Sequence, residues 1–196
     1  TNCSSTAPKR HMKPLQKITI LFFLTYSNLA LASLTNPPCH PIPHTNLPQY
    51  IVGYGSLMQS QSKNKSYPYA GTNIPVIIKG YQRGWFQKGA TIGFSTTFLG
   101  VTRDQSNQFN GVIFNLPSST IFLYDKRERN YCREEISPKK LQILTQKNIP
   151  IGQFWIYIAT PNNMAIPSAR YPITQSYVDT FLSGCLEVER IYHLKN

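Results

Sequence analysis

Apolar residues in this chain fall into short runs cut by Gly, Pro, Asn and Ser, and those run lengths point to strands more than to helices. Tyr50–Gly53, Ile74–Tyr81, Ile92–Leu99, Gly111–Leu116, Tyr131–Ile136 and Gln153–Ala159 all read as strands. Lys63-Asn64-Lys65-Ser66, Asp104-Gln105-Ser106-Asn107 and Pro161-Asn162-Asn163 read as turns. Ser118 to Arg127 is predicted as a short helix, and Thr174 to Ser183, stopped by Gly184, as a longer one. Six strands with two or three helices predict an α+β domain whose mixed six-stranded sheet is curled into a small barrel.

One junction carries more information than the rest. The run Gln49-Tyr50-Ile51-Val52 breaks into Gly53-Tyr54-Gly55-Ser56-Leu57 and opens onto Met58-Gln59-Ser60-Gln61, an order that reads as strand, tight loop, helix start. Gly53 and Gly55 let the main chain turn sharply and let a ligand approach it. Ser56 and Gln59 have capping-box spacing, which would put free N–H groups at the loop, where a carboxylate or an oxyanion can sit. By itself the pattern is also that of a plain steric turn.

The 41% apolar and 12% aromatic composition is that of a globular chain, and 196 residues suffice for one domain with a sizeable core. The formal net charge is +12. Lys9, Arg10, Lys13 and Lys17 lie in residues 1–32, which hold no acid, so of 20 basic side chains 16 remain against 8 acidic ones. A surplus of that size attracts nucleic acid, anionic lipid or acidic polymers without selecting among them. No specific nucleic-acid partner follows: the twelve tyrosines are scattered and form no stacking platform.

The N-terminal region has the layout of a secretory signal peptide. Met12-Lys13-Pro14-Leu15-Gln16-Lys17 is a basic start, Ile18–Leu24 an apolar run, and Ala30-Leu31-Ala32 a cleavage site before Ser33. Residues 1–32 are therefore read as an upstream remnant plus signal peptide, residues 33–48 as a Pro-rich tether, and residues 49–196 as the folded domain. A secreted or periplasmic protein with no stable membrane span after processing is expected.

Processing leaves Cys39, Cys132 and Cys185, an odd number, with one disulfide and one free thiol as an arrangement whose pairing the sequence leaves open. Cys39-His40 with His44 is the nearest approach to a metal-ligand set, but it lies among prolines that cannot hold helical spacing, so no metal site is expected.

Three stretches could carry chemistry. Beside the glycine loop stands Leu123-Tyr124-Asp125-Lys126-Arg127-Glu128-Arg129-Asn130-Tyr131-Cys132-Arg133, in which Glu128 falls between a short helix and a strand. Charge runs of this kind are usually a solvated helix end. The third is Pro172-Ile173-Thr174-Gln175-Ser176-Tyr177-Val178-Asp179-Thr180-Phe181, where Tyr177 and Phe181 share a helix face and read as core.

Taken in order, Gly53-Tyr54-Gly55-Ser56-Leu57, Lys79-Gly80-Tyr81-Gln82-Arg83-Gly84-Trp85, Phe109-Asn110-Gly111-Val112-Ile113-Phe114 and Asp125-x-Arg127-Glu128 resemble the gamma-glutamylcyclotransferase-like superfamily over roughly residues 50 to 185. The resemblance implies that Gly53, Tyr54, Gly55, Ser56, Leu57 and Met58 grip a small-molecule γ-glutamyl substrate, that Glu128 is the acid/base and that Tyr177 binds substrate. It implies intramolecular attack of the α-amine on the γ-carbonyl, releasing 5-oxoproline and an amine without a metal or organic cofactor, and a further helix beyond Gly184-Cys185-Leu186. Lys126, Arg127, Arg129 and Arg133 surround Glu128 in sequence, and nearby cations would hold it ionised. The acid/base role therefore predicts a buried Glu128 with those four side chains turned outward. Two competing readings exist. Ser56 as a nucleophile lacks the G-x-S-x-G elbow and has only His193 as a base in the folded part. A secreted basic module that binds an anionic partner without catalysis would show steep salt dependence.

Overall fold

The computed structural model describes residues 38–89, 95–145 and 147–194. The expected signal peptide, the start of the tether and the residues Ile92 to Phe94 of one expected strand lie outside them. The strands are β1 (Gln49–Gly53), β2 (Ile74–Lys88), β3 (Thr97–Leu116), β4 (Tyr131–Glu135), β5 (Leu141–Ile143) and β6 (Gln153–Ala159). The helices are α1 (Ser60–Asn64), α2 (Ile121–Arg127) and α3 (Gln175–Tyr192), with a 3-10 turn at Ser56–Met58 between β1 and α1.

The strands form one sheet in the order β4-β6-β1-β3-β2-β5. Only β1 and β6 run parallel; the other neighbours are antiparallel. All seven residues of β6 are buried, as an apolar run covered on both faces should be. Alternation along the neighbouring strands sends Val52, Ile113, Phe154 and Ile156 to one core. Ile51, Phe114, Trp155 and Tyr157 go to the other, where Ile121 and Tyr124 of α2 and Val188 of α3 cover them.

The expected barrel does not form. The six-stranded mixed sheet stays open, with β4 and β5 as its two edges. A physical obstacle to closure is visible at β4, whose outer side is already taken. His40 N–H donates to Arg133 O (3.0 Å), Arg133 Nη2 donates to Pro41 O (2.9 Å), and Cys39 is bonded to Cys132. Prolines beside an edge block further pairing there. The last part of the expected tether is thus fastened to the sheet, and His44 N–H continues the attachment on Gln153 Oε1 (2.9 Å). Cys39 is a disulfide partner and no metal ligand, while Cys185 is free and half-buried.

Four further expectations give way to tertiary structure. Gly111–Leu116 and the described end of Ile92–Leu99 belong to one long strand, β3, which pairs with β2 on either side of a bulge between Lys79 and Tyr81. Gly80 sits in that bulge at φ 81°, where a side chain would be strained. Asp104 shows the hydrogen-bonding habit that made 104–107 look like a turn, its Oδ1 accepting from Ser106 N–H (3.0 Å), while the backbone remains in the strand. Lys63 and Asn64, expected in a turn, close α1. Finally, α3 runs through Gly184 to Tyr192. The glycine is needed there for close approach, since a Cβ would meet Gln59 N at 2.6 Å and Met58 C at 2.7 Å.

Candidate active site

β1 and α2 deliver their ends to the same place. The loop after β1, the turn after α2, the far ends of β2 and β3 and the first turn of α3 enclose a cavity of about 700 Å³. Its lining includes Tyr54, Gly55, Ser56 and Leu57 from the loop, Glu128 and Tyr131 from the turn, Phe98 and Leu99 from β3, Tyr157 from β6 and Tyr177 from α3.

The loop is not built as the capping box predicts. Gly55 is the N-cap of the 3-10 turn and no side chain caps it. Ser56 Oγ instead accepts from Arg127 Nη2 (2.9 Å), and Gln59 Nε2 donates to Ser183 Oγ (2.8 Å). The start of the turn still offers N–H groups. Met58 N–H is the first to find an acceptor within the turn, Gly55 O at 3.0 Å, so Leu57 N–H precedes any such partner, while Ser56 N–H is directed at the Tyr177 hydroxyl. Gly55 is sterically required, because a Cβ there would lie 2.6 Å from the Tyr177 hydroxyl oxygen.

Glu128 follows the last residue of α2, with its N–H donating to Tyr124 O (2.8 Å) and its carbonyl accepting from Tyr131 N–H (2.8 Å). Its side chain is 14% exposed. Burial pushes the carboxyl above its ordinary pKa, and the adjacent Arg127 guanidinium pulls the other way without cancelling the effect. The expectation about the four cations holds only in part. Lys126 and Arg129 are exposed, and Arg133 is committed to Asp125 (2.8 Å) with its guanidinium 4.3 Å over the Trp155 ring. Arg127 turns inward: Nε meets Glu128 Oε1 at 3.2 Å, while Nη1 donates to Ser62 O at 2.5 Å and Nη2 to Ser62 Oγ at 2.9 Å. It therefore fastens the acid to the loop and to α1.

The other carboxylates of this stretch are occupied elsewhere. Asp125 accepts from Arg133 and from Tyr157 Oη (2.8 Å), Glu134 pairs with Arg103, and Glu135 accepts from Gln153 Nε2 (3.1 Å). Around Glu128 stand four tyrosines. Tyr54 Oη donates to Tyr157 O (2.5 Å) and Tyr131 Oη to Leu99 O (2.8 Å). Burial raises the pKa values of Tyr54, Tyr131, Tyr157 and Tyr177, so the cavity wall presents neutral phenols. Tyr177 packs edge-on against Phe98 (ring centroids 4.9 Å) and Trp85 (5.8 Å), which joins its two sequence readings: the ring is in the core and the hydroxyl faces the loop.

Tyr54, Gly55, Ser56, Leu57, Glu128 and Tyr177 are thus brought together, while two expected residues lie outside the lining. Met58 is 2% exposed within a core cluster, and Gly53 is pressed against Leu57 and Val112, where a Cβ would sit 3.0 Å from each side chain. Sequence reasoning missed Tyr131 and Tyr157, whose strand alternation could have marked them as sharing a side with the loop, and it took Arg127 as an obstacle.

No family model matches the chain, and no curated protein matches it. Solved structures do. A gamma-glutamyl cyclotransferase is 14% identical, with a TM-score of 0.57 over 71% of this chain and 79% of that one. A yeast gamma-glutamyl cyclotransferase specific to glutathione is 14% identical, with a TM-score of 0.56 over 72% and 88%. An uncharacterized human protein gives 14% and 0.55 over 70% and 78%. The chain shares the fold of the gamma-glutamylcyclotransferase-like superfamily.

Proposed function

We propose that this chain, with its gamma-glutamylcyclotransferase-like fold, is an enzyme of that type, closing a γ-glutamyl compound into 5-oxoproline and releasing the amine. The observation that carries the reading is Glu128, a carboxylate buried in a cavity wall, raised in pKa by that burial and sharing that cavity with the Gly55-Ser56-Leu57 loop. A γ-glutamyl compound holds its own nucleophile. Once the chain is curled, ring closure can reach effective molarities of ~10⁵ M or more. Glu128 takes a proton from the α-ammonium, the amine attacks the γ-carbonyl, and Glu128 returns the proton to the departing nitrogen. Leu57 N–H serves the developing oxyanion, such a donor typically contributing ~3 kcal/mol. Tyr177 and Gly55 fix the shape of the curled substrate, and the scheme asks for no metal.

A screen of γ-glutamyl compounds for 5-oxoproline release tests this reading, with Glu128→Gln as the diagnostic variant. The amide keeps the shape but carries no proton, so kcat should fall by ~10²–10⁴-fold with substrate still bound. Asp125→Asn, Glu134→Gln and Glu135→Gln should keep most activity in whatever protein folds. Normal turnover by Glu128→Gln refutes the mechanism.

Export is part of the same proposal. The basic start and Ala30-Leu31-Ala32 favour it, and the Cys39–Cys132 bridge suits an oxidising compartment. Among the described residues no helix is long and apolar enough to cross a membrane. The mature N-terminus should be Ser33, and an intact chain recovered from the cytoplasm contradicts the proposal.

A further inference from the structure

The cavity has more charge than the proposed chemistry uses. Four cationic side chains line it, Lys88, Lys126, Arg127 and Arg129, against one carboxylate, Glu128. Arg127 is matched by Glu128. The γ-glutamyl group brings one carboxylate and one ammonium, so it leaves the balance unchanged. Lys88, Lys126 and Arg129 remain, and none has an acidic partner among the described residues. They come from the end of β2 (Lys88), the last turn of α2 (Lys126) and the turn after it (Arg129). Lys126 and Arg129 are exposed and Lys88 is half-buried, which puts this surplus toward the cavity mouth, where the part of the substrate that leaves would lie.

A second observation lies in the same wall. Gln87 is fully buried, and its Nε2 donates to Asn130 O (3.2 Å) and to Lys88 O (3.4 Å). Both partners are acceptors, which assigns the nitrogen and leaves Oε1 as a buried acceptor with no partner. An amide N–H of a bound molecule would satisfy it.

We infer that the preferred leaving group is an acidic peptide or amino acid bearing at least two negative charges, held by Lys88, Lys126 and Arg129. The inference rests on the cyclotransferase reading and narrows its substrate class. A single carboxylate would leave two of these cations unmatched, whereas a neutral amine would leave all three.

The test compares 5-oxoproline release by the full chain from γ-glutamyl-glutamate, γ-glutamyl-alanine and γ-glutamyl-ethylamide, at low and at high salt. An exposed charge pair changes an equilibrium by up to about fivefold. The ratio of kcat/KM for γ-glutamyl-glutamate over γ-glutamyl-alanine should therefore be about two to five at low salt and shrink as salt screens the mouth. In the triple variant Lys88→Gln, Lys126→Gln, Arg129→Gln that ratio should fall toward one. Circular dichroism checks that this variant folds, and the salt dependence of the wild-type ratio supplies an independent measure. Equal rates, or a preference unaffected by salt and by the triple variant, overturn the inference while leaving the cyclotransferase reading intact. Failure of every compound to yield 5-oxoproline removes both.

Discussion

Replacing Arg127 with methionine keeps the apolar stem and removes the charge that faces Glu128. The guanidinium makes an ion pair to Glu128 at 3.2 Å and hydrogen bonds to Ser56 Oγ and to Ser62. Breaking a buried pair from one side costs ~3–5 kcal/mol, and with Arg127 22% and Glu128 14% exposed the lower end applies, about 3 kcal/mol. For a domain of this size that corresponds to roughly 6–12 °C in Tm. The pH dependence identifies the cause. Burial already raises the folded-state pKa of Glu128 above its unfolded value, so its protonated form favours the fold. That contribution is full below the unfolded pKa and is lost as pH rises through the folded one. Without Arg127 the folded pKa moves further up. The Tm difference between wild type and variant should then be widest at neutral pH and narrow in acid, where Glu128 is protonated in both proteins. A residual gap in acid measures the serine contacts. The acid limb of kcat/KM should move to higher pH in the variant, because the base stays protonated longer. Thermal melts across pH together with a pH–rate profile read both effects. A Tm gap constant with pH and an unmoved limb would refute the claim that Arg127 tunes Glu128.

Three other outcomes are open to direct measurement. Tyr177→Phe should raise KM or lower kcat with Tm nearly unchanged, because the ring contacts to Phe98 and Trp85 remain and only the hydroxyl at the loop is lost; reduced stability with unchanged kinetics would return Tyr177 to a core role. Gly184→Ala should lower stability by ~1–3 kcal/mol, the usual range for overpacking, since the new Cβ meets backbone atoms of Met58 and Gln59; an unchanged melt would show that α3 can move off the loop freely. Cys39→Ser should lower Tm, because the bridge spans 93 residues and a loop of that length is worth roughly 4–5 kcal/mol in the chain-entropy model, and thiol reduction of the wild type should reproduce the drop.

The parts of the fold legible in the sequence were those set by local pattern. Gln153–Ala159 matched β6 to the residue, and the Ser118–Arg127 stretch became a 3-10 turn followed by α2, because each carries its own periodicity and punctuation. What the pattern could not express was proximity. Gly184 looks like a stop until a neighbouring backbone is seen to need its missing Cβ. Asp104 to Asn107 carry turn chemistry, yet pairing with β2 keeps the strand going. The barrel was inferred from strand count alone, and strand count is blind to a Pro-rich segment fastened along one edge. At the site, residue type and order singled out the loop and Glu128, which the structure brings to one cavity. They did not single out Arg127, because the direction of a cation's side chain depends on acceptors such as Ser56 and Ser62 that only tertiary structure brings near.

The single parallel pairing has a kinetic consequence. β2 and β3 form a long hairpin from adjacent segments, which a chain can zip early. β1 against β6 instead sets Ile51 opposite Trp155, a contact whose closure must wait for the intervening chain to be arranged. The loop that follows β1 and the turn that leads into β4, β6's other neighbour, are held together across that late contact. Refolding followed by strand content should therefore run ahead of refolding followed by ligand binding, and the cavity should be among the last features of the molecule to appear.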